Sequence, residues 1–272
     1  MPSPTEISVS QLARLVGQAN APTIVDVRTD SDYAEDPRLV PGSLRRNAQD
    51  ASTWAHDLTG SNVVVICQRG LKLSQGAAAW LRHEGIEAET LAGGFDAWRA
   101  GALPLVNTSK LPPRDAAGRT VWVTRARPKI DRIACPWLIR RFVDPKAVFL
   151  FVTPSEVMAV ADRFGATPFD IEGVFWSHRG PLCTFDTMLS EFGLEEPALQ
   201  RLATIVRGAD TARPDLAPEA AGLIAVSLGY SRMFKDDLAQ LDAAMAVYDA
   251  LYRWARDAGD ETHNWPTPQK KT

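Results

Sequence analysis

Short apolar runs alternate with helix-periodic stretches through the first hundred residues, and that alternation leaves few architectures open. Thr23-Ile-Val-Asp-Val27, Asn62-Val-Val-Val-Ile66 and Ala88 to Leu91 read as buried strands. Ser10 to Val16 carries Leu12, Leu15 and Val16 at helical spacing, and Leu73 to His83 carries Ala77, Trp80 and Leu81 facing inward. A short helix after Gly93-Gly94 holds Phe95 and Trp98, while Val40-Pro-Gly-Ser43 reads as a turn. Repeated β–α units of this length predict a parallel sheet with helices on both faces. In such sheets ligands sit at the carboxyl ends of the strands. Cys67 follows Ile66 at one of these ends.

The residues after that strand, Cys67-Gln-Arg-Gly-Leu-Lys72, form a glycine-containing loop that leads into a helix. Backbone N–H groups of such a loop can converge on the sulfur. The helix start adds its positive end, and Arg69 and Lys72 add full charges. Each effect favours thiolate over thiol, and the thiolate is the nucleophile. Cys67 is therefore the candidate catalytic residue, with Gln68, Arg69, Gly70, Leu71 and Lys72 as the substrate-binding loop. Gly70 allows the tight bend. The competing reading of Cys67 is an inert, buried core thiol.

Pro104, Leu111-Pro-Pro113 and Gly118 bracket a polar stretch without periodicity, which reads as a linker. A second unit opens with a strand from Thr120 to Thr124. It continues with a helix from about Cys135 to Phe142, with Pro136 in its first turn, and a strand from Ala147 to Val152. The remainder reads as helices near 155–164, 185–192, 196–207, 218–228 and 236–257. The last has a core-facing stripe of Leu238, Leu241, Met245, Tyr248 and Leu251. The predicted fold class is α/β: an N-terminal parallel sheet with helices on both faces, then a second, mostly helical α+β domain. The boundaries are 1–106 for the first domain, 107–119 for the linker, 120–258 for the second domain and 259–272 for a flexible tail.

Composition removes several function classes. The net charge of −3 gives no whole-chain argument for nucleic acid or an anionic membrane. The longest apolar runs, Val63 to Cys67 and Ala147 to Val152, fall far short of the roughly 20 residues of a membrane helix. Cys67, Cys135 and Cys183 are three in number and far apart, which favours a reducing compartment over a disulfide framework. Met1-Pro-Ser-Pro-Thr-Glu lacks the basic start and apolar core of a signal peptide, so a cytoplasmic protein is expected.

Six cations, Arg125, Arg127, Lys129, Arg132, Arg140 and Arg141, lie within seventeen residues. A solvated face, an oxyanion pocket and a nucleic-acid contact would each account for that density. The interleaved Cys135-Pro-Trp137 argues against a purely solvated face. Arg125, Arg132, Cys135, Arg140 and Arg141 are the oxyanion or redox candidates. His178, Cys183 and Asp186 are candidate metal ligands, with Cys135, Asp170 or Asp210 to complete the set. Those ligand types suit zinc or iron. Their spacing matches no standard finger, and packed, satisfied side chains are the alternative.

Residues 7 to about 105 resemble a single-domain rhodanese, the thiosulfate sulfurtransferase family. Three landmarks carry the match in order: Ile24-Val-Asp-Val-Arg28 as the first strand with its Asp-x-Arg signature, Cys67-Gln-Arg-Gly-Leu-Lys72 as the six-residue active-site loop, and Leu91-Ala-Gly-Gly-Phe-Asp-Ala-Trp98 as the closing segment. The family's Gly-His-Ile-Pro-Gly-Ala stretch is here Arg38-Leu-Val-Pro-Gly-Ser43, so Leu39 stands where the histidine would be. The resemblance implies that Cys67 takes sulfur from a thiosulfate-like donor as a persulfide and passes it to a thiol or cyanide. Asp26 and Arg28 are read as loop braces and Trp98 as a core anchor.

The second unit resembles the C-terminal domain of chromate-resistance proteins over about 120 to 257. The match runs through Thr124-Arg125, Ile130-Asp-Arg-Ile-Ala-Cys-Pro-Trp-Leu-Ile-Arg-Arg-Phe142, Asp144-Pro145, Pro168-Phe-Asp170, His178-Arg-Gly180, Cys183-Thr-Phe-Asp186 and Gly208-Ala-Asp210. It implies a role in chromate tolerance, as a sensor, regulator or auxiliary redox protein; the oxyanion partners expected are chromate or sulfate. The leading expectation is thus a two-domain sulfurtransferase coupled to an oxyanion-responsive domain. The alternatives are an oxyanion sensor that uses the rhodanese fold as a thiol switch, and a metal-dependent redox enzyme. No membrane partner is expected, and a rhodanese in place of the regulators' N-terminal region argues against direct DNA binding.

Overall fold

The computed structural model describes residues 5–261. Residues 1–4, at the start of the segment read for a signal peptide, and most of the expected tail, residues 262–272, lie outside the described residues. The first half runs β1 (Glu6–Ile7), α1 (Val9–Leu15), β2 (Thr23–Asp26), α2 (Asp30–Glu35), β3 (Arg38–Leu39), β4 (Ser43–Arg45), α3 (Ala51–Trp54), β5 (Val63–Ile66), α4 (Lys72–His83), β6 (Ala88–Leu91), α5 (Gly94–Ala100) and β7 (Val106–Asn107). Five strands pair in the order β1-β6-β5-β2-β4, every pairing parallel. The central place of β5 agrees with its uninterrupted Val-Val-Val-Ile sequence, as expected for a strand buried on both faces.

Alternation along β5 sorts its side chains into two cores. Val64 and Ile66 join Leu12, Phe95 and Trp98 on one face. Val63 and Val65 join Trp54, Ala77, Ala78 and Leu81 on the other. Trp80 does not face inward: it is 50% exposed, edge-on to His83. The buried stripe of α4 is Ser74, Ala77, Ala78 and Leu81, spaced by three, four and seven, and Trp80 falls off it.

The second half runs β8 (Val121–Arg125), α6 (Asp131–Leu138), β9 (Val148–Val152), α7 (Val157–Phe164), β10 (Thr167–Pro168), α8 (Thr184–Phe192), α9 (Pro197–Asp210), α10 (Glu219–Met233) and α11 (Asp237–Asp257). Its sheet is β10-β8-β9, again parallel, with α6 packed on the Trp122 face and α7 on the Val123 face. The α6 helix starts at Asp131, earlier than the sequence suggests, so Pro136 lies inside it rather than in its first turn. A π-helical turn, Ile139–Val143, follows. In α11 the stripe holds at Leu241, Met245 and Tyr248. Leu238, in the first turn, is 47% exposed. Among the described residues no helix is long and apolar enough to cross a membrane.

The segment read as a linker is ordered. β7 pairs antiparallel with β3, Thr108–Lys110 makes a 3-10 turn, and Tyr33 Oη lies 2.7 Å from Thr108 Oγ1. Arg114 reaches fully buried Asp144 at 3.1 Å. The two halves share one core, in which Leu12 and Phe95 belong to the same cluster as Phe142 and Tyr252. The Gly42 N–H donates to the Phe142 carbonyl at 2.6 Å. A Cβ at Gly17 would overlap the Phe142 ring, so glycine there lets the halves close on each other.

Candidate functional site

The Cys67 loop is held from one side. The Phe95 and Asp96 N–H groups, at the start of α5, donate to the carbonyls of Cys67 and Gln68 at 3.0 Å. Gln68 Nε2 adds a 2.7 Å bond to Asp96. The N–H groups of Gln68 to Leu71 meet no backbone acceptor among the described residues. Gly70 bends the loop at φ +71, and a Cβ there would sit 2.6 Å from the Leu91 carbonyl oxygen. Gly93 and Gly94 also have positive φ, and a Cβ on Gly94 would overlap the Cys67 carbonyl oxygen and the Gly70 nitrogen. The paired glycines let the two backbones touch.

This close approach gives a sharp test. Gly94→Ala is expected to cost about 3 kcal/mol or more, because backbone cannot yield as a flexible side chain does. Urea unfolding should show the drop, and a midpoint within experimental scatter of wild type would contradict this packing.

Cys67 is 4% exposed, its Sγ 3.1 Å from Ser74 Oγ, and it packs with Val25, Val27, Val65 and Ala77. It is therefore more enclosed than the sequence suggests. Arg69, Leu71 and Lys72 are exposed around it, and among the described residues neither cation has an ion-pair partner. Beside the loop, Val27, Arg28, Thr29, Arg45, Arg46 and Leu73 line a cavity of about 390 Å³ at the carboxyl ends of β2 and β4. Asp26 and Arg28 do brace this region. They form a buried ion pair at 2.7 Å, and Arg28 also donates to the Asp36 and Arg38 carbonyls and lies over the Phe95 ring.

The cations of the second half divide. Arg125 and Arg132 converge on Asp170, each at 3.3 Å. Arg140 and Arg141 instead turn to α11, with 2.8 Å contacts to Asp242 and Asp249 respectively. Asp249 also accepts from Trp137 Nε1, so Arg141 is tied into packing rather than free for a ligand. Arg127 is spent on the Ser231 and Phe234 carbonyls at the end of α10.

Cys135 is fully buried on α6. Burial, then the Asp131 and Asp170 carboxylates, pushes its thiol well above its ordinary value, so it is a protonated core residue rather than a redox thiolate. The expected metal ligands His178, Cys183 and Asp186 do not come together. Cys183 and Asp186 cap α8 reciprocally, and Asp186 is further tied to Arg207 at 2.7 Å. Burial, then Asp131, raises the Cys183 thiol as well.

His178 meets three aspartates instead. Its Nε2 lies 3.2 Å from Asp210, 3.4 Å from Asp170 and 3.5 Å from Asp131. The Thr184 N–H donates to Asp131 at 2.6 Å and the Thr184 hydroxyl to Asp170 at 2.8 Å, so one residue at the start of α8 aligns both carboxylates. Contacts with Asp131, Asp170 and Asp210, in that order, push His178 up to about 12. Burial pushes Asp131 up to about 6 against the pull of His178. Burial also opposes ionisation of Asp170, but His178, Thr184, Arg132 and Arg125 outweigh it and hold that carboxyl below its ordinary value. Asp131 was visible in the sequence only as a carboxylate among cations. The carboxyl-end rule that singled out Cys67, applied to β8, finds Arg125 and Asp131 as well.

Two family profiles match the chain: a Rhodanese-like domain over residues 8–101 and the ChrB, C-terminal domain over residues 122–255. Among curated proteins, Protein ChrB of Cupriavidus metallidurans is 37% identical over 147 residues, 54% of this chain. This chain spans 44% of that relative's length. Among solved structures, a Staphylococcus saprophyticus protein is 26% identical at a TM-score of 0.32, covering 36% of this chain and 97% of its own. A thiosulfate sulfurtransferase from Pseudomonas aeruginosa is 24% identical at a TM-score of 0.33, covering 40% of this chain and 20% of its own. The chain thus joins a rhodanese-like domain, residues 8–101, to a ChrB C-terminal domain, residues 122–255.

Proposed function

We propose that this protein transfers sulfane sulfur through a persulfide on Cys67, and that its chromate-resistance domain couples the reaction to an oxyanion. The Cys67 thiolate attacks the outer sulfur of a thiosulfate-like donor. The donor's S–S bond breaks and sulfite leaves with its electron pair. A thiol or cyanide then takes the terminal sulfur, and the Cys67 thiolate returns. The observation that carries this reading is the loop. Its Cys67 and Gln68 carbonyls are engaged on the α5 side, and among the described residues its N–H groups at 68–71 have no backbone acceptor and Arg69 and Lys72 have no ion-pair partner. Such donors suit an anionic sulfur and a donor sulfonate. Rhodanese activity of the purified protein tests it, with thiocyanate as the product measured.

Arg69→Ala and Lys72→Ala are each expected to raise KM for thiosulfate about tenfold, the equivalent of one charge-assisted hydrogen bond, with a smaller change in kcat. Steady-state kinetics that match wild type in both variants would remove these side chains from donor binding. In the second domain, the match to the ChrB C-terminal domain supports a response to chromate or sulfate, while Arg125 and Arg132, the cations at the sheet end, both pair with Asp170. Three free cysteines support a reducing, cytoplasmic setting. Neither a membrane nor nucleic acid enters this reading.

The enclosure of Cys67 supports a second reading, a thiol switch or sulfur carrier without fast turnover. It predicts a single slow loading with sulfur and little thiocyanate. Multiple turnovers at wild-type loading rates exclude it.

A further inference from the structure

The ends of β8 and β10 form a switch point in the second sheet. The chain leaves β8 through α6 to reach β9 on one side, then returns through α7 to β10 on the other. The two helices pack on opposite faces. Crevices at such points are where open α/β sheets bind ligands. Asp131 and Asp170 sit in this one, under His178 and Asp210.

The contacts around His178 do not add up as hydrogen bonds. One ring nitrogen carries at most one hydrogen, yet three carboxylates surround it. Charge-assisted N–H···O bonds measure about 2.7–2.9 Å, and none of the three contacts is that short. The spacings of 3.4 Å to Asp170 and 3.5 Å to Asp131 instead match donor atoms that share a metal. Tetrahedral ligands at about 2.0–2.2 Å from zinc lie about 3.3–3.6 Å from one another. Asp131, Asp170 and His178 also offer atoms that all lie within 4.8 Å of one another.

The surroundings are built as for a metal centre. Thr184 aligns two of the carboxylates, and Arg132 and Arg125 hold the far oxygen of Asp170. The Thr187 hydroxyl bonds the Ser177 carbonyl at 2.8 Å, fixing the loop that carries His178. Thr124, near the end of β8, is fully buried, and its hydroxyl has no hydrogen-bond partner among the described residues. Ile130, next to Asp131, and Asp170 itself both hold positive φ, a strain that collects at binding sites. His178 is 39% exposed, which gives an ion a path in and a side open to water.

We propose that Asp131, Asp170 and His178 bind one divalent transition-metal ion, with zinc favoured by the spacing of both carboxylates from Nε2, and that Asp210, 3.2 Å from His178, supports the site from its edge. The ligands are one imidazole nitrogen and carboxylate oxygens, without cysteine sulfur. This site is separate from Cys67 and does not rest on sulfur transfer.

The full-length protein, stripped with chelator, is titrated with zinc chloride and, separately, manganese chloride by calorimetry. One equivalent of zinc per chain is expected, with affinity about 10–100-fold weaker in His178→Ala and in Asp210→Asn. Neither residue caps α8, and circular dichroism checks that both variants fold. X-ray absorption of the zinc-loaded wild type supplies a readout independent of any variant: a nitrogen and oxygen shell supports the site, and a sulfur shell overturns it. Absence of stoichiometric zinc in the wild type, or unchanged affinity in both folded variants, also overturns it. Tighter binding of manganese than zinc would keep the site but reject the tetrahedral preference.

Discussion

Cys67→Ser is expected to slow thiocyanate formation from thiosulfate and cyanide by about a thousandfold or more, since losing a covalent nucleophile leaves only binding and orientation. Serine nearly matches cysteine in size and can keep a contact with Ser74 Oγ, so the fold should survive. Thermal unfolding of the variant checks this, and a shift of only a degree or two would show that the loss lies in chemistry. A wild-type rate no higher than that of the serine variant contradicts the assignment. Rate loss with an intact fold separates the nucleophile from the inert core thiol that a 4% exposed cysteine would otherwise suggest.

Asp26→Ala is expected to be among the most damaging single changes to stability. It leaves the Arg28 guanidinium, 2% exposed, without its carboxylate. Breaking a buried pair from one side costs about 3–5 kcal/mol, because the remaining charge stays out of water. Two carbonyl contacts and the Phe95 face remain to Arg28, but none carries a full negative charge. Urea unfolding should show a large fall in midpoint with little change in slope. The double variant Asp26→Ala, Arg28→Met should recover much of the loss, since an apolar replacement removes the stranded charge. No recovery would mean that Arg28 matters through its carbonyl bonds to the α2–β3 segment rather than through charge pairing.

The first sheet was legible because its strands are short, apolar and evenly spaced, and because Cys67 falls where β5 must end. The two-residue strands β1, β3, β7 and β10 were not. A pair of residues carries no period, and β7 is defined by its partner β3 across the chain rather than by its own sequence. Trp80 shows the same limit. An aromatic side chain one step off the stripe reads as core until the partner surface is known.

In the second domain the cation density was visible, but its division was not. Arg125 and Arg132 share a sheet end, while Arg140 and Arg141 lie on the π-helical turn that swings them toward α11. Cys183 and Asp186 looked like ligands because of their types. Their spacing of three is instead that of a helix cap, a local arrangement that competes with any metal for the same atoms.

The most direct test of the sulfur-transfer account is intact-protein and peptide mass spectrometry after brief exposure to thiosulfate and removal of excess donor. The account predicts one added sulfur atom, on the peptide that contains Cys67, released by cyanide. An unmodified chain, or sulfur carried on Cys135 or Cys183 with Cys67 untouched, would contradict it.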